Sequence, residues 1–440
     1  MQSNILNRIL KIWWPLALSW LFMGLEQPLI SAFIARLPDS TIHLAALGGV
    51  VFPLALIIES PIIMLLTAST ALADHQQAYK RMYRFMMITS AILTAFHALL
   101  VFTPLYNVLI VSTLNPPTEI IEPSRWGLML LLPWTWSIAH RRFQQGLLIR
   151  YGDTKAISVG TLFRLIASLG SMALMASLGY PGIVVATIGI SAGVLTEAVF
   201  IAWRARPIIQ HKLPDLHSHR LSWKAFNTFY TPLALTSFLV LVAQPLGSAA
   251  LSRMPQALNS LAAWPVLISF IFLFRGLGFA YNEVVVTMLK DKKASFADLT
   301  RFALLLSGVL TILLATVAFT PLAQAYFSGL AGLDNTLTSL IIPAFSLCIL
   351  WPALSVFLNL YQGVIVFGGQ TRFVTESVVI SLTITAVLLV IGVVSGRYPG
   401  LMMGVMAFLV GNIAQVIWLV WRSHGVRTSL QQRLNSVNAS

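Results

Sequence analysis

Along most of this 440-residue chain, stretches of about 20 residues pass with scarcely a charge. That length of apolar helix matches the hydrocarbon thickness of a bilayer. Twelve such runs are legible, at 12–37, 43–70, 85–107, 125–148, 156–177, 182–203, 223–252, 257–288, 302–325, 337–365, 373–395 and 399–421. In lipid a spanning segment must satisfy its own backbone, which leaves helices as the reading for runs of this kind. Composition agrees: 57% of residues are hydrophobic and only 10% charged, against about 25% charged in a soluble domain. A soluble enzyme, a disordered chain and a disulfide-built secreted domain are excluded. The lone Cys348 has no partner for an internal bridge. The first apolar run is too long for a signal peptide, and no small-residue cleavage site follows it.

The net charge of +14 is read as topology. Taking the N-terminus, every second loop and the C-terminus as one side, that side collects 23 of the 28 Lys and Arg residues. The opposite loops hold Arg36, Arg125, Arg253 and Arg397, and Arg275 lies inside a span. By the positive-inside rule both termini are cytoplasmic. The expectation is a multi-pass protein of a bacterial inner membrane.

The chain is also written twice. When its second half is laid on its first, Pro15-Leu16-Ala17-Leu18 falls on Pro232-Leu233-Ala234-Leu235, and Gln27-Pro28-Leu29 on Gln244-Pro245-Leu246. Fourteen of the 32 positions from 15 to 46 are identical, where chance would give about three. The register continues through Phe102-Thr103-Pro104-Leu105 onto Phe319-Thr320-Pro321-Leu322, Gln145-Gly146 onto Gln362-Gly363, and Gly152 onto Gly369. Past a single inserted residue, Tyr180-Pro181-Gly182 matches Tyr398-Pro399-Gly400. Six spans per copy put both copies the same way round in the membrane, related by a pseudo-two-fold axis along its normal, an arrangement found in alternating-access transporters. The expected fold class is an all-α integral membrane protein of twelve helices in two six-helix bundles. The expected organisation is an N-terminal bundle at 1–203, a cytoplasmic linker at 204–222, a C-terminal bundle at 223–422 and a cytoplasmic tail at 423–440. His211, His217 and His219 in the linker read as solvated residues, since nothing supplies metal-ligand geometry.

The motifs point the same way. The stretch after the second span keeps Asp74 and the basic pair Lys80-Arg81 but lacks the glycines of the major facilitator loop. The runs Trp14-Pro15-Leu16-Ala17-Leu18 with Glu26-Gln27, and Pro232-Leu233-Ala234-Leu235 with Pro245 and Arg253, fit another group better. So do the tail of the fourth span around Gly146-Leu147-Leu148 and its repeat at Gly363. On these residues the chain resembles the multidrug/oligosaccharidyl-lipid/polysaccharide (MOP) flippase superfamily. Within it, the chain looks most like the progressive ankylosis family, and more distantly like the multidrug and toxic compound extrusion (MATE) family. The resemblance covers the whole chain and implies a MATE/MOP-like fold and export of small polyanions such as pyrophosphate, nucleotide or citrate. One MATE branch uses acids in spans 7 and 10 for coupling cations. Here span 7 has Ala243 and span 10 has no acid, so that mechanism does not carry over. Another branch uses a carboxylate in span 1, which Glu26 matches in type.

Ionisable residues within spans cost several kcal/mol each and mark function by default. Glu26 lies just before Pro28, whose missing N–H frees a carbonyl near residue 24; it reads as a proton or sodium site, or as a carboxylate held near the interface. Glu59 in span 2 and Arg275 in span 8 occupy nearly matched repeat positions of opposite charge. They are candidate substrate contacts, a gating pair or a static ion pair. Arg164 in span 5 is a candidate substrate contact and Glu197 in span 6 a coupling candidate, each expected within about two helical turns of the cytoplasmic face. Gln145 and Gln362 are paired candidates for substrate binding or helix–helix hydrogen bonding. Pro28 and Pro245 are matched candidate hinges.

No nucleotide-hydrolysing, metalloprotease or serine-hydrolase motif is present, so the chain reads as a non-enzyme without cofactor or metal. The leading function is a secondary-active exporter of small organic or phosphorylated anions. The alternatives are a proton- or sodium-coupled antiporter of cationic amphipathic compounds and a flippase for lipid-linked sugars. Expected partners are a small-molecule substrate, H+ or Na+, and membrane lipids, with no nucleic acid. The expected state is a monomer.

Overall fold

The computed structural model describes residues 2–214, 221–290 and 295–428, and within them the chain is helical throughout. Residues 215–220 of the expected linker and 429–440 of the expected tail lie outside the described residues. Among the described residues, ten helices are long and apolar enough to cross a membrane: α1 (Ile5–Ile34), α2 (Ser40–Leu72), α3 (Gln76–Phe102), α5 (Thr154–Ser177), α6 (Gly182–His211), α7 (Trp223–Leu251), α8 (Ala257–Lys290), α9 (Phe296–Ala318), α11 (Arg372–Ser395) and α12 (Gly400–Arg422). An eleventh, α10, is the pair Asn335–Leu347 and Trp351–Phe367, bent by 43°. The remaining expected span, α4, is formed by Thr118–Leu130 and Leu132–Arg150. It falls short of that apolarity because of what its second segment carries, His140-Arg141-Arg142 and Gln144-Gln145.

The sequence repeat is copied into the backbone. Among the described residues, eight have a positive φ, and they form four pairs in the repeat register: Asp39 with Gln256, Asn115 with Gly332, Gly152 with Gly369, and Gly179 with Gly396. Left-handed geometry disfavours L side chains, so its recurrence at Asp39 (φ 51°) and Gln256 (φ 55°) is imposed by the turn and not by glycine. Beyond Gly179 and Gly396 the register slips by one, which makes Arg397 the inserted residue. After each Phe-Thr-Pro-Leu motif the chain makes a π-helical turn, Tyr106–Val111 in one half and Ala325–Leu330 in the other.

Proline explains a second matched feature. α1 is interrupted at Leu25, between segments Gln2–Gly24 and Glu26–Ile34, and α7 at Val242, between Trp223–Leu241 and Ala243–Leu251. Pro28 and Pro245 cannot donate to the carbonyls four residues back, Gly24 and Leu241. The break is mild, because Leu25 (φ −68°, ψ −26°) and Val242 (φ −62°, ψ −20°) stay in helical geometry. Each helix therefore loses one hydrogen bond but continues.

The chain divides into two compact units, 36–253 and 1–35 with 254–440. The boundaries fall one helix away from the sequence halves: α7 packs with α2–α6, and α1 packs with α8–α12. Within the second unit, Trp13 Nε1 donates to the Leu277 carbonyl (2.9 Å) and its ring meets Phe302 edge-on. Gly24 lets Phe272 and Leu273 of α8 approach α1 closely, a Cβ there lying 3.1 Å from each. Within the first, Tyr230 of α7 donates to the Pro61 carbonyl of α2, and Arg253 caps the turn carbonyls of Thr113 (2.8 Å) and Leu114 (3.1 Å). Glycine also sets the spacing of α6 on α5: a Cβ at Gly193 would lie 2.9 Å from the Arg164 carbonyl and 3.0 Å from Ser168 Cβ.

Close approach of this kind is testable. Gly193→Val is expected to destabilise the detergent-solubilised protein by about 1–3 kcal/mol through overpacking. Gly308→Ala, where nothing lies within 4 Å, is expected to leave the thermal midpoint unchanged or slightly raised. Thermal unfolding followed by circular dichroism separates the two.

Candidate functional site

Five charged residues converge inside unit 36–253. By sequence, Arg141 and Arg142 are counted with the cytoplasmic charge, although the span at 125–148 includes them. Leu132–Arg150 runs as one helix through them, and Arg141 is buried. Arg141 Nη1 donates to Glu197 Oε2 of α6 at 2.7 Å, and Gln145 Nε2, one turn along the same helix, donates to Glu197 Oε1 at 3.0 Å. Arg164 of α5 lies with Nη1 3.6 Å from the same Oε2. One carboxylate with 0% exposure thus joins α4, α5 and α6.

Glu197 lies farther from the end of its helix than expected. α6 runs on to His211, not 203, which places Glu197 about four turns from the end of its helix. Removing Arg141, Arg142 and Arg164 from the 23 topological cations leaves 20 against 4, so the orientation argument is unaffected.

Glu59 is the other carboxylate of the cluster, 3% exposed, with Oε2 buried and without a hydrogen-bond partner. The charges whose fields reach it are Arg142 first and then Arg141. It lies two residues before Pro61, in the last turns of segment Phe52–Ile63. Gln144 Nε2, also on α4, donates to the Tyr79 hydroxyl at 3.0 Å, and His140 stacks on Trp136 with centroids 5.0 Å apart. Three arginines thus stand against two glutamates.

The repeat carries none of this charge. At the matching positions of the second copy, Glu59 becomes Gly276, Arg141 becomes Leu358, Arg142 becomes Asn359 and Arg164 becomes Ser381; past the inserted residue, Glu197 becomes Gln415. There Gln415 Nε2 donates to Ser377 Oγ at 3.3 Å and Asn359 Nδ2 to the Ser355 carbonyl at 2.8 Å. The first of these bonds joins α11 and α12 and the second stays within α10, so neutral groups stand where the other half places ions.

The other sequence candidates fall in unit 1–35 with 254–440. Glu26 opens the second segment of α1 and is half-buried, as is Gln362 on α10. Arg275 lies about halfway along α8. Its guanidinium sits over the rings of Trp351 (5.2 Å) and Phe279 (5.6 Å), and its Nε is buried without a hydrogen-bond partner. Among the described residues the one ionisable group acting on it is Cys348. Arg275 therefore has no carboxylate beside it among those residues.

Solved structures of the same fold exist. The chain superposes on a multidrug resistance MATE family transporter of the MOP superfamily in an inward-facing conformation with a TM-score of 0.70, at 16% identity, covering 91% of this chain and 95% of that one. The outward-facing conformation of such a transporter gives 0.66 at 15% identity, covering 97% and 96%. A MOP superfamily transporter from Pyrococcus furiosus, described as having a binding pocket of reverse polarity that suggests a different function, gives 0.65 at 15% identity over 96% and 97%. At these identities the likeness is one of fold: the all-α architecture of the MATE transporters. No protein-family pattern and no curated protein matches the sequence. The narrower likeness to the progressive ankylosis family finds no support among these structures.

The Glu197 node has a direct test. Glu197→Gln strands two buried cations and is expected to cost about 3–5 kcal/mol. Adding Arg141→Leu and Arg164→Ser, the residues found in the repeat, is expected to recover most of that stability in chemical denaturation. A triple variant as unstable as the single one would assign the cost to packing instead of charge.

Proposed function

We propose that the chain is a secondary-active membrane transporter working by alternating access, and that it carries small organic or phosphorylated anions. The fold supports the transporter class. Cytoplasmic termini follow from the charge bias, and Pro28 and Pro245 are the natural bending points of α1 and α7. The observation that carries the substrate's sign is Arg275, a cation midway along an apolar helix with no carboxylate beside it among the described residues. A guanidinium in such surroundings favours a carboxylate or phosphate as its counter-ion. The cluster of Glu59, Arg141, Arg142, Arg164 and Glu197 adds a second surplus of positive charge. In it Glu197 accepts from Arg141 and from Gln145, with Arg164 beside it.

One observation favours a second reading, coupled antiport of cationic compounds: the buried Glu59 Oε2 with no hydrogen-bond partner is a place for a proton or a cation. Glu26 would serve the same role in α1.

Flux into proteoliposomes decides between them. Labelled citrate and pyrophosphate are expected to exchange, and Arg275→Ala to reduce that exchange by at least about tenfold, the effect of losing one charge-assisted contact of about 1.5–3 kcal/mol. Exchange of a cationic dye that survives Arg275→Ala and disappears with Glu59→Gln or Glu26→Gln would establish the second reading.

A further inference from the structure

The surroundings of Arg275 define more than a charge. Its guanidinium lies over the rings of Trp351 and Phe279. A guanidinium held by ring contacts keeps its N–H donors for an oxyanion. Next to it, Trp351 is 2% exposed, and its Nε1–H is buried without an acceptor. An unsatisfied indole N–H costs free energy when dry, and here it belongs to the ring on which the unpaired cation rests. Two kinds of donor thus lie together, each with a buried N–H that no described residue accepts.

The wall continues in aromatic residues. Phe279 packs edge-on against Trp20 of α1 with centroids 5.3 Å apart and against Phe272 at 5.7 Å, and Trp20 meets Phe272 at 6.5 Å. These three rings are half-buried, neither closed into the core nor fully exposed. Gly24 contributes to the arrangement, since a Cβ there would lie 3.1 Å from Phe272 and Leu273 of α8. In the first copy of the repeat the positions matching Trp351 and Phe279 are Trp134 and Ile62, and that of Arg275 is Ile58. The cation and its second ring are therefore absent from the repeat, where the Trp134 N–H is likewise buried without an acceptor, so it is the pairing of that N–H with a cation that is particular to this half.

From this juxtaposition we infer that Arg275, the Trp351 N–H and the ring cluster of Phe279, Trp20 and Phe272 form a binding site for planar aromatic oxyanions, with a carboxylate or phosphate on the Arg275 edge and the ligand's ring against the aromatic wall. The inference rests on the anion reading above and narrows its substrate class from small anions in general to aromatic ones. An aliphatic anion would gain the charge contact alone. An aromatic anion gains the ring contacts as well, for which offset or edge-on pairs contribute about 0.5–1.5 kcal/mol beyond area.

The test is calorimetric titration of the full-length protein in lipid nanodiscs with 4-hydroxybenzoate and its saturated counterpart 4-hydroxycyclohexanecarboxylate. The charges are equal and the carbon frames alike. Wild type is expected to bind the aromatic acid about fivefold more tightly. Phe279→Leu is expected to abolish that preference while still binding the saturated acid. Trp351→Phe keeps a ring but removes the N–H, and is expected to weaken both acids equally. Equal affinity for the two acids in wild type, with both lost in Arg275→Gln, would overturn the aromatic site and leave the anion reading standing. Binding of neither acid, with binding of a cationic dye, would overturn both.

Discussion

A charge inside an apolar helix bundle has no bulk water to neutralise it, and each one must be answered by another group held nearby. The arrangement of this protein follows from how that requirement is met in one half and left open in the other. In unit 36–253, Glu197 accepts from Arg141 and Gln145 and faces Arg164, so a single carboxylate binds three helices together. In the other unit Arg275 meets rings and, among the described residues, no carboxylate. Cation–π contact softens desolvation but leaves the charge in place.

The repeat makes this asymmetry meaningful. Four pairs of left-handed turns and two mild proline breaks recur in the same register, and a π-helical turn follows the same motif in each half. The backbone is thus copied closely, while the charged side chains of the cluster are not copied at all. Gln415, donating to Ser377, joins α11 and α12 through neutral groups alone, while Asn359 bonds within its own helix. Ions in the first half are therefore not required by the fold, and neither is Arg275 in the second. Groups that a fold does not need are the ones to connect with transport.

Much of this was legible in the sequence, because its main signals are local. Apolar runs of bilayer length gave the helices, and Pro28 and Pro245 marked the breaks within three residues. The intramembrane candidates Glu59, Arg164, Glu197 and Arg275 were visible as charges in apolar context. Arg141 and Arg142 were not, because they stand near the end of an apolar run where loop cations belong. The available signal lay beyond them: Gly146-Leu147-Leu148 continues the helical pattern for another turn before Arg150. That two cations at such a depth need a carboxylate, and that Glu197 is deep enough in its helix to supply it, depends on contacts between segments far apart in the chain. The exchange of α1 and α7 between the compact units was invisible for the same reason, since a helix's own sequence does not say which neighbours it packs on.

The central claim is that Arg275 is a cation awaiting an anionic ligand and not a structural element. Its most direct test is the thermal stability of Arg275→Leu with and without anion. Removing an uncompensated buried charge is expected to raise the midpoint of the ligand-free protein, and to abolish the further rise that pyrophosphate or 4-hydroxybenzoate gives the wild type. A fall in the ligand-free midpoint, with the anion-dependent rise intact, would show that Arg275 serves the fold and that the substrate's charge is met elsewhere.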